Sequence, residues 1–165
     1  MFKSLFLPII GVAAFITIVG LLGQGKLDKY IKPTNQNNSN TTKTIVIEDK
    51  EINVEVARTN DERSKGLSNR EKLDENNGMV FVFDKNTKPS FWMKDTKITL
   101  DIIWINDDKI VSINKNVEPE PNKKDSQLKK YPAPSEIDYV LEVNGGFSDK
   151  HGIKAGSTVQ KLSDL

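Results

Sequence analysis

Apolar and polar residues alternate in short runs along residues 44–165, and this pattern predicts β-strands rather than long helices. Residues 45–47 and the alternating apolar positions of residues 52–56 flank the polar stretch 48–51, which is typical of a β-hairpin. Residues 79–83 form a continuous apolar run, which indicates a strand buried on both faces. Further strands are predicted at residues 91–93, 98–105, 109–113, 139–143 and 158–162.

Helical signals are few and short. Thr59 with Glu62, and Ser68 with Glu71, have the spacing of a capping box, in which a hydroxyl and a carboxylate satisfy the first free N–H groups of a helix. Residues 148–151 allow at most one helical turn. The distribution of elements predicts a mostly β domain (β-rich α+β), which is a small compact barrel or sandwich with one or two short helices.

The N-terminal residues differ sharply from the rest of the chain. Residues 5–23 carry no charged side chain, and as a helix they would be about 28 Å long, close to the thickness of the hydrocarbon core of a bilayer. We predict a signal anchor or transmembrane helix over residues 1–25, a flexible polar linker over residues 26–43 and one globular domain over residues 44–165. The signal-like start favours a membrane-anchored domain outside the cytoplasm, periplasmic or extracellular. Cleavage at the weak site Gly23-Gln24-Gly25 would instead give a secreted protein.

Composition excludes several classes of function. The 24 basic residues nearly balance the 23 acidic ones, so no global positive field favours a nucleic acid as partner. The chain has no cysteine and one histidine, His151, which argues against a zinc site and against cysteine or Ser-His-Asp catalysis. No glycine-rich phosphate loop occurs. We expect no cofactor, no metal and a monomeric protein.

Two acidic residues interrupt apolar strands. Because side chains alternate between the two faces of a strand, Asp101 shares a face with Ile103, and Glu142 shares a face with Val140. Each carboxylate is either solvent-facing on a half-exposed strand, or buried and in need of a hydrogen-bond donor. The face of Glu142 also carries Asn144, which is a further polar candidate for binding.

The three arginines are concentrated in one short stretch. Arg58, Arg63 and Arg70 lie within 13 residues, whereas the other 21 basic residues are all lysines. Arginine offers a planar fork that binds a carboxylate through two hydrogen bonds, which lysine does not. This predicts that Arg58 or Arg63 pairs with Asp101 or Glu142, either in a structural ion pair or in a binding site.

Aromatic residues are concentrated in residues 78–105, which hold both tryptophans and three of the seven phenylalanines. In the strand predicted there, Trp92 and Lys94 share one face. An aromatic plate beside a cation suits a sugar or a peptide. The alternative is that Trp92 packs beneath residues 114–137, a lysine-rich stretch with four prolines that is predicted to be irregular.

A series of motifs follows in order between residues 54 and 160: Val56-Ala57-Arg58-Thr59, Glu62-Arg63, Gly66-Leu67, residues 78–83, Phe91-Trp92-Met93-Lys94, Thr96, Leu100-Asp101-Ile102-Ile103, residues 140–144, Gly146, Gly152-Ile153 and Gly156. This series resembles the domain of unknown function 192 family, an uncharacterised protein family. The resemblance implies a compact β-rich fold, often carried behind an N-terminal signal or anchor, and no established activity. The chain departs from the usual pattern of that family at Ser68, Asp95, Thr99 and Ser157.

These observations favour two alternative functions. The first is a ligand-binding or accessory module of the cell envelope, anchored in the membrane and binding a glycan or a peptide. Its candidate binding residues are Arg58, Arg63, Trp92, Lys94 and Asn144. The second is an acid-pair hydrolase acting on an envelope glycan, with Asp101 and Glu142 as catalytic candidates. Such an enzyme needs its two carboxyl groups roughly 5–9.5 Å apart across an open cleft.

Overall fold

A computed structural model describes residues 42–165 of the chain. Its strands are β1 (Lys43–Ile47), β2 (Lys50–Ala57), β3 (Asn77–Thr87), β4 (Ser90–Phe91), β5 (Leu100–Asn106), β6 (Lys109–Val117), β7 (Tyr131–Pro132), β8 (Ile137–Asn144) and β9 (Val159–Gln160). Its helices are α1 (Asn60–Lys65) and α2 (Phe147–Lys150), with 3-10 turns at Asp125–Gln127 and Leu162–Asp164.

The predicted anchor over residues 1–25 lies outside the described residues, as does the predicted linker up to residue 41. From residue 42 onward, none of the helices has the length and apolar character needed to cross a bilayer. The first strand, β1, begins at Lys43, one residue before the predicted start of the domain at residue 44.

Seven strands form one sheet in the order β6-β5-β8-β3-β2-β1-β9, and the short strands β4 and β7 pair separately. Neighbours in the large sheet are antiparallel except β2 and β3, which are parallel. The sheet is curled, and one isolated bridge joins Lys109 at the start of β6 to Thr158 next to β9, so its two edge strands approach each other at one point. The described fold is therefore a β-rich half-barrel with two short helices, which confirms the predicted class.

Both faces of the curled sheet are apolar, and each face contributes to its own hydrophobic cluster. The inner cluster takes side chains from all seven strands, and Phe147 of α2 packs against them. The outer cluster lies on the opposite face, around Phe81 of β3, Trp104 of β5 and Val140 of β8. Burial of large apolar side chains stabilises a domain by about 1.5–3 kcal/mol each, so the two clusters supply most of the stabilisation.

Local signals in the sequence have mixed outcomes in the structure. The predicted hairpin and the first capping box are confirmed: Thr59 Oγ1 accepts a hydrogen bond from Glu62 N, and Glu62 Oε2 accepts one from Thr59 N. The second capping box is wrong, because no helix follows Ser68. Instead, the Ser68 hydroxyl donates to the carbonyl oxygen of Lys94 at 3.1 Å, a tertiary contact that competes with capping.

Candidate ligand-binding site

Asp101 is buried on the inner face of the sheet, where it lies opposite Val143 of β8. Its carboxylate accepts three backbone hydrogen bonds, from Asn116 N at 2.8 Å, Gly146 N at 3.1 Å and Ser148 N at 2.8 Å. Three N–H donors satisfy a buried carboxylate without any cation. Asp101 therefore ties the end of β6 and the start of α2 to β5.

The arginines do not bind either acid, so the predicted pairing of Arg58 or Arg63 with Asp101 or Glu142 is wrong. The Arg63 guanidinium donates to the carbonyl oxygens of Arg58 and Val82, the latter at 2.8 Å, and its Cζ lies 5.1 Å from the centre of the Phe83 ring. It thereby fastens α1 to β3. The physical reason for the error is that two backbone carbonyls and the side-chain oxygen of Asn60, rather than carboxylates, satisfy this guanidinium.

Arg70 does use the planar fork expected of arginine, but with a different acid. Its two terminal nitrogens contact the two carboxylate oxygens of Glu55 at 2.6 and 2.7 Å. This pair joins β2 to the segment after α1. Arg58 itself is exposed and lies outside the cavity described below.

The two acids lie on opposite faces of the sheet, which contradicts the acid-pair hydrolase. Asp101 is opposite Val143, an inner-cluster residue, whereas Glu142 is opposite Ile102, an outer-cluster residue. Side chains on opposite faces do not share a cleft, and the Asp101 carboxylate is already occupied by backbone donors. The structure thus removes the geometry that a carboxylate pair would need for glycoside hydrolysis.

Glu142 instead points into a cavity of about 260 Å³ on the outer face. Helix α1 and the turn after it form one wall, residues 89–96 form the other, and β3 and β8 form the floor. Four aromatic side chains line the space: Phe81, Phe83, Phe91 and Trp92. The polar lining includes the hydroxyl-bearing residues Ser64, Ser68, Ser90 and Thr96.

The Glu142 carboxyl has no hydrogen-bond partner within the described part of the chain, although the residue is only 5% exposed. Its cross-strand neighbours are Met79 on β3 and Ile102 on β5, and their side chains offer no donor. Burial raises the pKa of the Glu142 carboxyl to about 8, because a desolvated carboxylate without a donor is costly.

The rim of the cavity is basic. Arg63, Lys65 and Lys94 all line it, and Glu142 is the one acidic residue among the lining side chains. Lys94 is 2.7 Å from the carboxylate of Asp125, and the hydrogen bond to that carboxylate raises the pKa of Lys94. The cavity therefore has a single acid at its base and cations at its opening.

Trp92 lies at the rim and is 42% exposed, the one large hydrophobic side chain exposed among residues 42–165. Lys130, from the segment between β6 and β8, lies over its ring at 3.2 Å from the centroid. Residues of the proline-rich segment thus cover part of the ring, while the rest of the side chain stays accessible beside the cavity. The contact between β4 and β7 holds the two segments together.

Four of the predicted site residues meet in this cavity: Arg63, Trp92, Lys94 and Glu142. Asn144 does not join them, because its side-chain amide donates to the carbonyl oxygens of Leu73 and Asp74, both at 3.1 Å, and so anchors a loop. The prediction missed Ser64, Phe81, Phe83 and Thr96. Ser64 lies in the short helix predicted after Thr59, and Phe81 and Phe83 lie in the apolar strand predicted at residues 79–83. The succession of these two elements was the signal in the sequence that could have identified the three residues.

Two solved structures are similar to this chain in fold. A protein of unknown function from Novosphingobium aromaticivorans is 31% identical with a TM-score of 0.65, over 72% of this chain and 84% of that one. A protein from Sinorhizobium meliloti described as a "putative transcription regulator" is 25% identical with a TM-score of 0.65, over 71% of this chain and 91% of that one.

No curated protein matches the chain. A family model does match, and it covers residues 42–161, which include every described strand and the whole lining of the cavity. The match confirms the resemblance noted from the motifs. The chain belongs to the DUF192 family (domain of unknown function 192), described as an uncharacterized ACR.

Proposed function

We propose that this protein is a ligand-binding module of the cell envelope, held at the membrane by its N-terminal segment, and that the cavity on the outer face of the sheet is its binding site. The single observation that carries this proposal is the unpartnered Glu142 carboxyl at the base of an aromatic cavity. Protein interiors rarely leave a buried polar group unpaired, and such exceptions concentrate at functional sites.

The size and lining of the cavity limit the ligand. Its volume of about 260 Å³ is near the lower end for small-molecule sites, which suits a sugar ring or a dipeptide rather than a larger cofactor. Trp92 and Phe91 offer flat apolar surfaces, and the surrounding hydroxyl groups offer donors and acceptors. Fragments of an envelope glycan or of a peptide fit both requirements.

We expect the full chain in detergent micelles to bind such fragments with dissociation constants on the order of 0.1–1 mM, a range set by the small number of ligand atoms. Calorimetric titration with N-acetylglucosamine, glucosamine and short peptides measures this. Ser64→Trp places a large side chain in the cavity and is expected to weaken binding more than tenfold, because Ser64 lines the space from α1.

Asp61→Trp is the matched control for the blocking variant. Asp61 is an exposed residue of the same helix and does not line the cavity, so binding by this variant is expected to equal that of the unmodified chain. Equal binding by the Ser64→Trp variant would place the ligand elsewhere and contradict the proposed site.

The anchor is proposed from the sequence alone, because residues 5–23 combine the length and the lack of charge expected of a spanning segment. In bacterial cells, we expect the full chain to sediment with membranes and resist extraction with salt. We expect protease added outside the cytoplasmic membrane to degrade the domain from residue 42 onward. A chain lacking residues 5–23 is the control and is expected to remain in the soluble fraction.

Intact mass measurement separates an anchor from a cleaved signal. Retention of residues 1–25 supports the anchor, whereas a mature chain that begins after residue 25 supports secretion. Protection of the domain from external protease would contradict both forms of the proposal.

A further inference from the structure

The Glu142 carboxyl lines the cavity without a hydrogen-bond donor from the described part of the chain. Glu142 lies between Met79 and Ile102 in the sheet, and its carboxyl is buried with no hydrogen bond from the described side chains or backbone groups. The one guanidinium that lines the cavity, that of Arg63, donates instead to two backbone carbonyls and to the side-chain oxygen of Asn60. A desolvated carboxyl in this position is costly to keep, and it reaches full satisfaction only when something enters the cavity.

We propose that the ligand carries a protonated amino group, which donates hydrogen bonds to the carboxylate of Glu142 at the base of the cavity. This inference rests on the proposed function, because it names the chemical group that the same site recognises. An ammonium group supplies both a charge opposite to that of the carboxylate and several donors.

Aromatic rings around the base favour the same group. Phe81 and Phe91 both line the cavity, with ring centroids 4.9 Å apart and planes at 85°. The face of an aromatic ring attracts a cation, and the attraction grows when water is excluded. An amino group that reaches Glu142 therefore enters a space with aromatic walls, where the exclusion of water strengthens its attraction to the carboxylate.

The basic rim restricts the rest of the ligand. Arg63 and Lys65 line the cavity and would repel a second amino group, whereas Lys94 is paired with Asp125, so a polyamine is a poor ligand. A ligand with one amino group inside, and neutral or anionic polar atoms outside, complements the whole cavity. Amino sugars and peptides with a free amino terminus both have this arrangement.

Binding of an ammonium group changes the protonation state of Glu142. With its pKa raised to about 8 by burial, the carboxyl is mostly protonated at pH 6–7. An incoming ammonium keeps its own proton, so the proton of Glu142 leaves to solvent as the ion pair forms. The other charged side chains that line the cavity are Arg63 and Lys65 of α1 and Lys94, with Asp125 paired to Lys94, and arginine and lysine side chains stay charged over this range.

Matched pairs of ligands test the inference on the full chain in detergent micelles. Alanyl-alanine is compared with its N-acetyl form, and glucosamine with N-acetylglucosamine, so that each pair differs in the amino group alone. We expect at least one free-amine ligand to bind about tenfold more tightly than its acetylated form, the factor for one charge-assisted hydrogen bond. Its affinity is expected to rise about tenfold from pH 6 to pH 7, with release of close to one proton.

Glu142→Gln keeps the shape of the side chain and removes its charge. We expect this variant to bind the free-amine and acetylated forms equally, with no proton release. Equal affinities of both members of each pair for the unmodified chain, retained in Glu142→Gln, would overturn the inference and leave the proposed function standing. Lack of binding by all four ligands would overturn both.

Discussion

Replacing Asp101 by asparagine is expected to lower the free energy of unfolding by about 3–4 kcal/mol, because one buried carboxylate accepts hydrogen bonds from three separate backbone N–H groups. Asparagine keeps one acceptor oxygen, and its NH₂ group would face an N–H donor. With total stabilities of about 5–15 kcal/mol for single domains, this is a large fraction. Urea unfolding of the variant measures it, and the melting temperature is expected to fall by roughly 10–15 °C.

Asp138→Asn is the matched control for this prediction. Asp138 is also buried, but its carboxylate accepts one backbone hydrogen bond, from Asp107 N at 3.0 Å. We expect this variant to lose at most about 1 kcal/mol, because asparagine keeps an acceptor oxygen for the single donor and only the charge of the acceptor is removed. A loss below that of the control in Asp101→Asn would show that the three donors find other acceptors, and would contradict a structural role for Asp101.

Asp101→Asn also distinguishes a role of Asp101 in stability from a role in ligand binding. Asp101 lies on the inner face, while the cavity opens on the outer face. Below the melting temperature, we expect the folded variant to bind ligand as the unmodified chain does. A hydrolase that used both acids would instead lose its activity completely in this variant.

The faces of the strands were predictable because side-chain alternation is a property of the backbone alone. Asp101 does share a face with Ile103, and Glu142 with Val140, as the alternation requires. Both faces of this sheet are covered, so both acids are buried rather than solvent-facing. The alternation decides which face a residue takes, whereas only the tertiary structure decides whether that face is covered.

The partner of Asp101 was not predictable from residue types. Its donors are backbone N–H groups of residues 116, 146 and 148, which lie 15 to 47 positions after Asp101 in the sequence. Every residue except proline carries such a donor, so no side chain in the sequence marks the ones that turn toward a carboxylate. The clustering of arginines did indicate residues that hold the fold together, but their partners differ from the predicted ones. Arg70 binds the carboxylate of Glu55, and Arg63 binds carbonyl oxygens.

One wall of the cavity forms where the sequence predicts a second helix that the structure does not contain. Ser68 and Glu71 have the spacing of a capping box, yet the Ser68 hydroxyl donates to the carbonyl oxygen of Lys94. This bond ties the turn after α1 to residues 89–96 and so joins the two walls of the cavity. A second helix here would have required that turn to leave the wall, and the sequence alone does not reveal which arrangement is more stable.

Folding stability is expected to fall by about 3 kcal/mol between pH 5 and pH 8 through Glu142 alone. The pKa of this carboxyl rises from 4.5 to about 8 on folding, because burial disfavours the charged form. Between these two values the unfolded chain has lost the proton while the folded chain retains it. Unfolding then releases a proton, so each unit of higher pH favours the unfolded state by about 1.4 kcal/mol.

Glu142→Gln is expected to remove this dependence, because glutamine has no proton to lose. Other groups titrate in the same pH range. Burial lowers the pKa of His151, which reduces the stability of the fold as the pH falls through 6.5 and below. Those groups are common to both proteins, so the difference between the two unfolding free energies, measured in urea at each pH, isolates Glu142. We expect the variant to be more stable by about 3–5 kcal/mol at pH 8 and nearly equal to the unmodified chain at pH 5.

This stabilising effect distinguishes a functional carboxyl from a structural one. Asp101 and Glu142 are both buried on the same sheet, yet loss of charge is expected to destabilise the fold at Asp101 and to stabilise it at Glu142. Binding and catalytic sites often lower the stability of a fold in exchange for activity, and a buried carboxyl that destabilises the fold beside a cavity fits that pattern. A constant difference between Glu142→Gln and the unmodified chain from pH 5 to pH 8 would mean that the carboxyl is solvated or paired, and the binding site would lose its central group.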